Sequence, residues 1–147
     1  MNLFRVLDIS GSALLAERQR AEVVTSNLAN ADTTHVASGG PYQRMHVIFG
    51  AHPLPTNGFA VQLASFTDLH SEGVRVERVV ADGAAPIRRF EPGHPDADAD
   101  GYVSYPAINP VEEMVNLMGA ARAYQLNASA VQSTKNMIQA SIDILKA

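Results

Sequence analysis

The chain contains no cysteine. That absence excludes structural disulfides, thiolate metal sites and a cysteine nucleophile, and it leaves the redox compartment open. An excess of positive charge is also missing: 11 Lys and Arg stand against 15 Asp and Glu, a net charge of −4. Binders of nucleic acid or anionic lipid favour a basic face, so this balance argues against both. No run of 18 or more apolar residues occurs, so neither a transmembrane helix nor direct membrane insertion is expected. Met1 to Ala16 lack a basic leading stretch, and Arg5 and Asp8 interrupt their apolar positions. A Sec-type signal peptide is therefore not expected, and composition alone reads as cytoplasmic.

Catalytic patterns are missing as well. There is no G-x-S-x-G elbow and no phosphate-binding glycine loop, and Gly39-Gly40-Pro41 reads as a turn. The five histidines, His35, His46, His52, His70 and His94, are scattered without a pair at helical spacing, so no histidine metal site is expected. Asp96, Asp98, Asp100 and Gly101 imitate the first half of a calcium loop, but the twelfth position is Ala107, where a bidentate glutamate belongs. A polar turn whose carboxylates cap backbone amides is the preferred reading, with His94 as a turn residue whose ring is hydrogen-bonded. Arg88-Arg89 is a small basic spot, read as a solvated face. No enzyme activity, metal or cofactor is expected.

What the chain does contain is organised by its helix breakers. Seven of eight prolines, eight of ten glycines and seven of nine aromatics lie between Ala31 and Asn109. Breaker-poor flanks around a breaker-rich middle predict a mainly α chain: a helix over 1–30, a small β insert within 31–109, and a helix over 110–147. The first flank carries a seam of Leu3, Leu7, Ser10, Leu14, Glu17, Ala21, Val24 and Leu28, six of the eight apolar. The second opens on Asn109 as N-cap, Pro110 at the first helical position and Glu112 at the capping-box position. Its seam runs Met114, Leu117, Ala121, Tyr124, Ala128, Val131, Lys135, Ile138, Ile142, Leu145, with Lys135 the departure. Pro110 to Leu145 would span roughly 54 Å as a helix. In the middle, Tyr42 to Phe49 is compatible with a strand. Phe59, Val61 and Leu63 alternate, and Val74, Val76 and Val80 share one face with Arg78 as the exception.

Two long seamed helices and a small insert leave apolar surface to cover. A monomeric helical hairpin with a β decoration and an oligomer both satisfy that requirement. Tyr124 on the seam suits either core packing or an anchor between subunits.

Particular segments resemble a known family. Ser26-Asn27-Leu28-Ala29-Asn30-Ala31-Asp32-Thr33-Thr34 resembles the signature that ends the N-terminal helix of bacterial flagellar rod and hook axial proteins. Its asparagines suit a helix end turning into a loop. Pro92-Gly93-His94-Pro95-Asp96-Ala97-Asp98-Ala99-Asp100-Gly101-Tyr102-Val103 is similar to a segment of that family's proximal-rod members. Glu113-Met114-Val115-Asn116 and Arg122-Ala123-Tyr124-Gln125-Leu126-Asn127 resemble its C-terminal helix, and Asp8 to Leu14 adds a further match. The region from His35 to Pro86 carries least of the likeness.

The resemblance implies a structural subunit of the proximal rod. Its terminal helices would form one coiled-coil layer around a central channel, with the middle segment outside. Implied partners are further copies of the chain, neighbouring rod proteins and the junction of the rod base with the MS ring. The flagellar type III export apparatus would carry the chain out without a cleaved signal, to a periplasmic rod. A secreted coiled-coil adaptor that binds a partner helix is the alternative.

Overall fold

The computed structural model describes residues 3–53 and 72–146. Its order is α1 (Leu3–Ala29), β1 (Met45–Pro53), β2 (Glu72–Ala81), β3 (Ile87–Phe90), β4 (Tyr102–Tyr105) and α2 (Pro110–Lys146). Two long helices thus flank a small β insert, as the distribution of prolines and glycines predicts. The proposed strand around Phe59, Val61 and Leu63 lies outside the described residues.

The start of α2 follows from its first five residues. The Asn109 Oδ1 accepts from the Val111 N–H at 3.0 Å, and the Asn109 carbonyl accepts the first helical bond from Glu113 at 3.1 Å. Pro110 needs no donor at that position. Glu112 and Glu113 face the positive end of the helix dipole, and Lys146 lies in the last turn. The helix then runs unbroken for 37 residues, roughly 56 Å. At the end of α1, Asn30 caps through its side chain: Nδ2 donates to the Ser26 carbonyl at 2.9 Å, beside the backbone bond from the Asn30 N–H to the same oxygen.

β1 pairs with β2, and β3 with β4, in separate two-stranded sheets. In β2, Val74, Val76 and Val80 are half-buried while Arg75, Glu77, Arg78 and Val79 are exposed, the alternation expected of a strand with one covered face. β3 and β4 are antiparallel, with Ile87 opposite Tyr105 and Phe90 opposite Tyr102. Val103 and Tyr105 turn inward and are buried, which places Tyr102 and Ser104 outward.

The chain forms two compact units, and each draws on both helices. One contains α1 through Gln19, β1 from Phe49, β2 through Glu77 and α2 from Ala120. Its buried residues include Ser10, Ala16, Ala120 and Thr134. Within it the Ser12 hydroxyl donates to the Ile9 carbonyl and accepts from the Val74 N–H at 3.1 Å, tying β2 to α1. The other unit contains α1 from Arg20, β1 through Ile48, β2 from Arg78, both short strands and α2 through Gly119. Its core includes Val24, Asn27, Ala31, Val103, Tyr105, Pro106, Ile108 and Glu113.

Candidate assembly site

The second unit is held by a buried polar cluster. Asn27 and Glu113 are each 1% exposed. Asn27 uses its whole hydrogen-bonding capacity. Its Nδ2 donates to the Met45 carbonyl at 2.8 Å and to Glu113 Oε2 at 3.0 Å. Its Oδ1 accepts from the Met45 N–H at 2.9 Å and the Tyr42 hydroxyl at 3.1 Å. One amide therefore fixes the first residue of β1 to α1 and to the first turn of α2. On its other oxygen Glu113 accepts from Arg44 Nε at 3.0 Å, from Arg44 Nη2, and from Asn116 at 3.4 Å. A buried carboxylate requires this degree of pairing. Burial pushes the Glu113 carboxyl upward, but the bonds from Asn27 and Arg44, and the Arg44 charge, outweigh it and hold it below the ordinary glutamate value.

The asparagines of the helix-end segment thus divide their work. Asn30 caps, as their chemistry suggests. Asn27 does not; it is the centre of the buried cluster. Glu112 lies 3.9 Å from Arg44 with its side chain 61% exposed.

The loop between β3 and β4 is organised by Asp98. Its Oδ1 accepts from the Asp100 and Tyr102 N–H groups at 3.0 and 2.8 Å, and its Oδ2 pairs with Arg88. The Tyr102 amide bond lowers the Asp98 carboxyl most, and desolvation opposes it more weakly. Asp96 accepts from Thr34 at 2.6 Å, and His94 Nδ1 accepts from the Asp96 N–H at 3.1 Å. Among the described residues no three His, Asp or Glu side chains gather as metal ligands. Pro92, Gly93, Pro95 and Asp100 are exposed at the turn. Gly101 has φ +82°, and a Cβ there would stand 2.9 Å from a Phe90 ring carbon and 3.2 Å from Pro92. Only glycine fits both the dihedral and the space.

The seam positions fall differently on the two helices. On α1, Leu3, Leu7, Leu14, Ala21 and Leu28 are half-buried and Val24 is buried; Ser26 and Ala29 are exposed. On α2, Leu117, Val131 and Ile138 are half-buried, while Met114, Ala121, Tyr124, Ala128, Ile142 and Leu145 are exposed. Tyr124 is therefore not a core residue of its own chain. The covered stripe of α2 is instead Glu113, Ala120, Asn127 and Thr134, a seven-residue spacing of which three members are buried and Asn127 is half-buried. Asn127 and Thr134 each donate back to the carbonyl four residues earlier, at 2.9 and 2.8 Å. Arg122 and Gln125 are exposed.

Opposite the covered stripe, α2 presents an apolar one. Val111, Met114, Val115 and Met118 are all exposed, Met118 at 71%. Their i, i+3, i+4, i+7 spacing places them within an arc of about 100°, on the far side from Glu113 and Ala120. The start of α2 is thus polar inward and apolar outward, the reverse of an ordinary surface helix.

Two family models match the chain. One, described as Flagella basal body rod protein, covers residues 7–34. The other, described as Flagellar basal body rod FlgEFG protein C-terminal, covers residues 99–144. Full-length relatives agree with them. A flagellar basal-body rod protein FlgC of Escherichia coli O6:H1 is 41% identical over 138 residues, 94% of each chain. Its counterpart in Bacillus subtilis is 35% identical over 99% of this chain and 100% of its own. That of Borreliella burgdorferi is 34% identical over 99% of both.

Proposed function

This chain belongs to the FlgC family of flagellar basal-body rod proteins, and from that premise we propose that it builds the proximal part of the rod through the outward faces of its terminal helices. The observation that carries this reading is the apolar stripe of α2, which the chain's own core leaves uncovered. An exposed apolar stripe of this kind marks a surface that meets another protein. The exposed seam residues Met114, Ala121, Tyr124, Ala128, Ile142 and Leu145 belong to the same assembly surface, and Tyr124 acts there as an anchor between subunits.

In this reading the protein works by holding shape. It transmits torque along a hollow shaft whose channel serves export, and it performs no catalysis. Its partners are further copies of itself, the neighbouring rod proteins and the junction of the rod base with the MS ring. It reaches the periplasmic rod through the flagellar type III export apparatus without cleavage of a signal. No described helix is long and apolar enough to cross a membrane, which suits a subunit held by protein contacts.

The test is an in-frame deletion with motility assays and basal-body imaging. The expected result is loss of swimming with arrest at a rodless or short-rod stage, restored by the gene in trans. Normal rods and normal swimming would overturn the reading. Leu117→Asp and Val131→Asp, which place a carboxylate on the half-buried part of the seam, are expected to abolish rod assembly; normal rods in both would remove those two positions from the assembly surface.

A further inference from the structure

Arg44 stands where the β insert meets α2, in the stretch from His35 to Pro86 that carries least of the family likeness. Its backbone and its side chain bind different elements. The Arg44 carbonyl accepts from the Asp82 N–H at 2.8 Å, which closes the start of β1 on the end of β2. The guanidinium donates to Glu113 Oε1 through Nε at 3.0 Å and again through Nη2. Nη2 also lies 3.9 Å from Glu112 Oε2, and Nη1 lies 3.9 Å from Asp82 Oδ2. His46 Nε2 reaches the same Asp82 oxygen at 3.1 Å. Three carboxylates therefore surround one guanidinium, two from the first turn of α2 and one from the end of β2. The planar fork of an arginine can serve both directions at once, which the point charge of a lysine cannot. The Arg44 side chain is 17% exposed and that of Glu113 1%, so water screens the inner half of the cluster poorly. Without Arg44, Glu113 would be a buried charge with two further carboxylates beside it, and the first turn of α2 would be driven from the hairpin.

We propose that Arg44 is a positioning residue for assembly, which sets the rotation of the first turn of α2 through Glu113. Glu113 and the stripe of Val111, Met114, Val115 and Met118 lie on opposite sides of the same stretch of helix. Drawing Glu113 inward therefore turns the stripe outward. The middle segment then contributes to assembly from inside the subunit, by aiming a face that belongs to a terminal helix. The proposal rests on the rod-subunit reading and adds to it the residue that couples the β1–β2 hairpin to the start of α2.

Three variants test it in a strain lacking the gene, with chain levels followed by immunoblot: Arg44→Gln, Arg44→Lys, and Arg44→Gln combined with Glu113→Gln. Arg44→Gln is expected to build no rods. The double variant removes the stranded charge along with its partner, which costs far less than removing one partner alone, and it is expected to swim again. Normal rods in Arg44→Gln, or a double variant that swims no better at equal chain level, would overturn the proposal. Should the double variant be degraded, Arg44→Lys decides. It keeps the charge and is expected to swim better than Arg44→Gln; equal swimming would overturn the proposal. Hydrogen exchange on the purified full-length chains separates positioning from a general loss of stability. In Arg44→Gln the amides of Met114 to Met118 are expected to exchange about tenfold faster than in the parent, while those of Val103 and Tyr105 change little. Equal acceleration in both would make Arg44 a stabiliser of the whole unit and end its positioning role. A deletion strain that still builds rods would strike the rod reading itself.

Discussion

α1 and α2 are both long and both follow a seven-residue spacing, yet they differ in how much large apolar surface they leave exposed. α1 buries Ser10, Ala16, Val24 and Asn27, half-buries every leucine but Leu15, and exposes three large apolar residues, Phe4, Ile9 and Leu15. α2 covers Glu113, Ala120, Asn127 and Thr134 and exposes ten large apolar residues, from Val111 to Leu145. α1 turns most of its large apolar side chains partly toward its own chain. α2 is held to the chain by the bonds of Glu113, by Ala120 and Thr134 and by the half-buried Leu117, Val131 and Ile138, and most of its large apolar side chains lie outward. A helix anchored this way presents a large outward face at no cost to the subunit's own core.

The contrast breaks first at the buried cluster. Glu113→Ala removes the only described partner that takes two bonds from Arg44, and it leaves the Asn27 amide short of an acceptor. The expected loss is about 4 kcal/mol of unfolding free energy, read from urea denaturation. Asn27→Leu keeps the branched outline but strands the Met45 amide and carbonyl, with an expected loss of about 3 kcal/mol. If both variants unfold at the parent midpoint, the cluster does not hold α2 in place.

Gly101→Ala is next in size. It forces an alanine to φ +82° and a Cβ against Phe90, with an expected cost of about 2 kcal/mol. The same urea series measures it, and a neutral result would show that the loop rearranges freely.

Acid provides a finer probe. The Glu113 carboxyl is held below its ordinary value in the folded state, so the unfolded chain binds the proton first as pH falls. The stability from this group is fully present above the ordinary glutamate value of about 4.3 and is lost as pH falls through the depressed folded value. Glu113→Gln should flatten that part of the acid limb. An unchanged limb would assign the acid loss to other carboxylates.

Much of this arrangement was legible in the residues, and the rest was hidden for identifiable reasons. The α1 seam and the β2 alternation at Val74, Val76 and Val80 stand out because large apolar side chains mark their covered faces. The N-cap at Asn109 and the hydrogen-bonded turn around Asp98 follow from local chemistry. The covered stripe of α2 does not stand out, because Glu, Ala, Asn and Thr look like surface residues to any hydrophobic count; apolar periodicity selects Met114 and Tyr124 in their place. β3 and β4 were hidden too. Ile-Arg-Arg-Phe has no alternation, and Tyr-Val-Ser-Tyr places an aromatic on each face. Asn27 sits in a segment that attracts notice, but its role depends on Tyr42, Met45 and Glu113, which only the fold brings to it.

The smallest stability effect carries the most information. Met118→Lys adds a charge to the outward stripe of α2 and touches nothing in the buried cluster. Its unfolding midpoint and its ability to restore rods in a deletion strain should be measured on the same variant. The expected result is a stability within about 0.5 kcal/mol of the parent together with loss of rods and swimming. A large fall in stability, or normal rods at normal stability, would contradict the division of α2 into an inner face for the fold and an outer face for assembly.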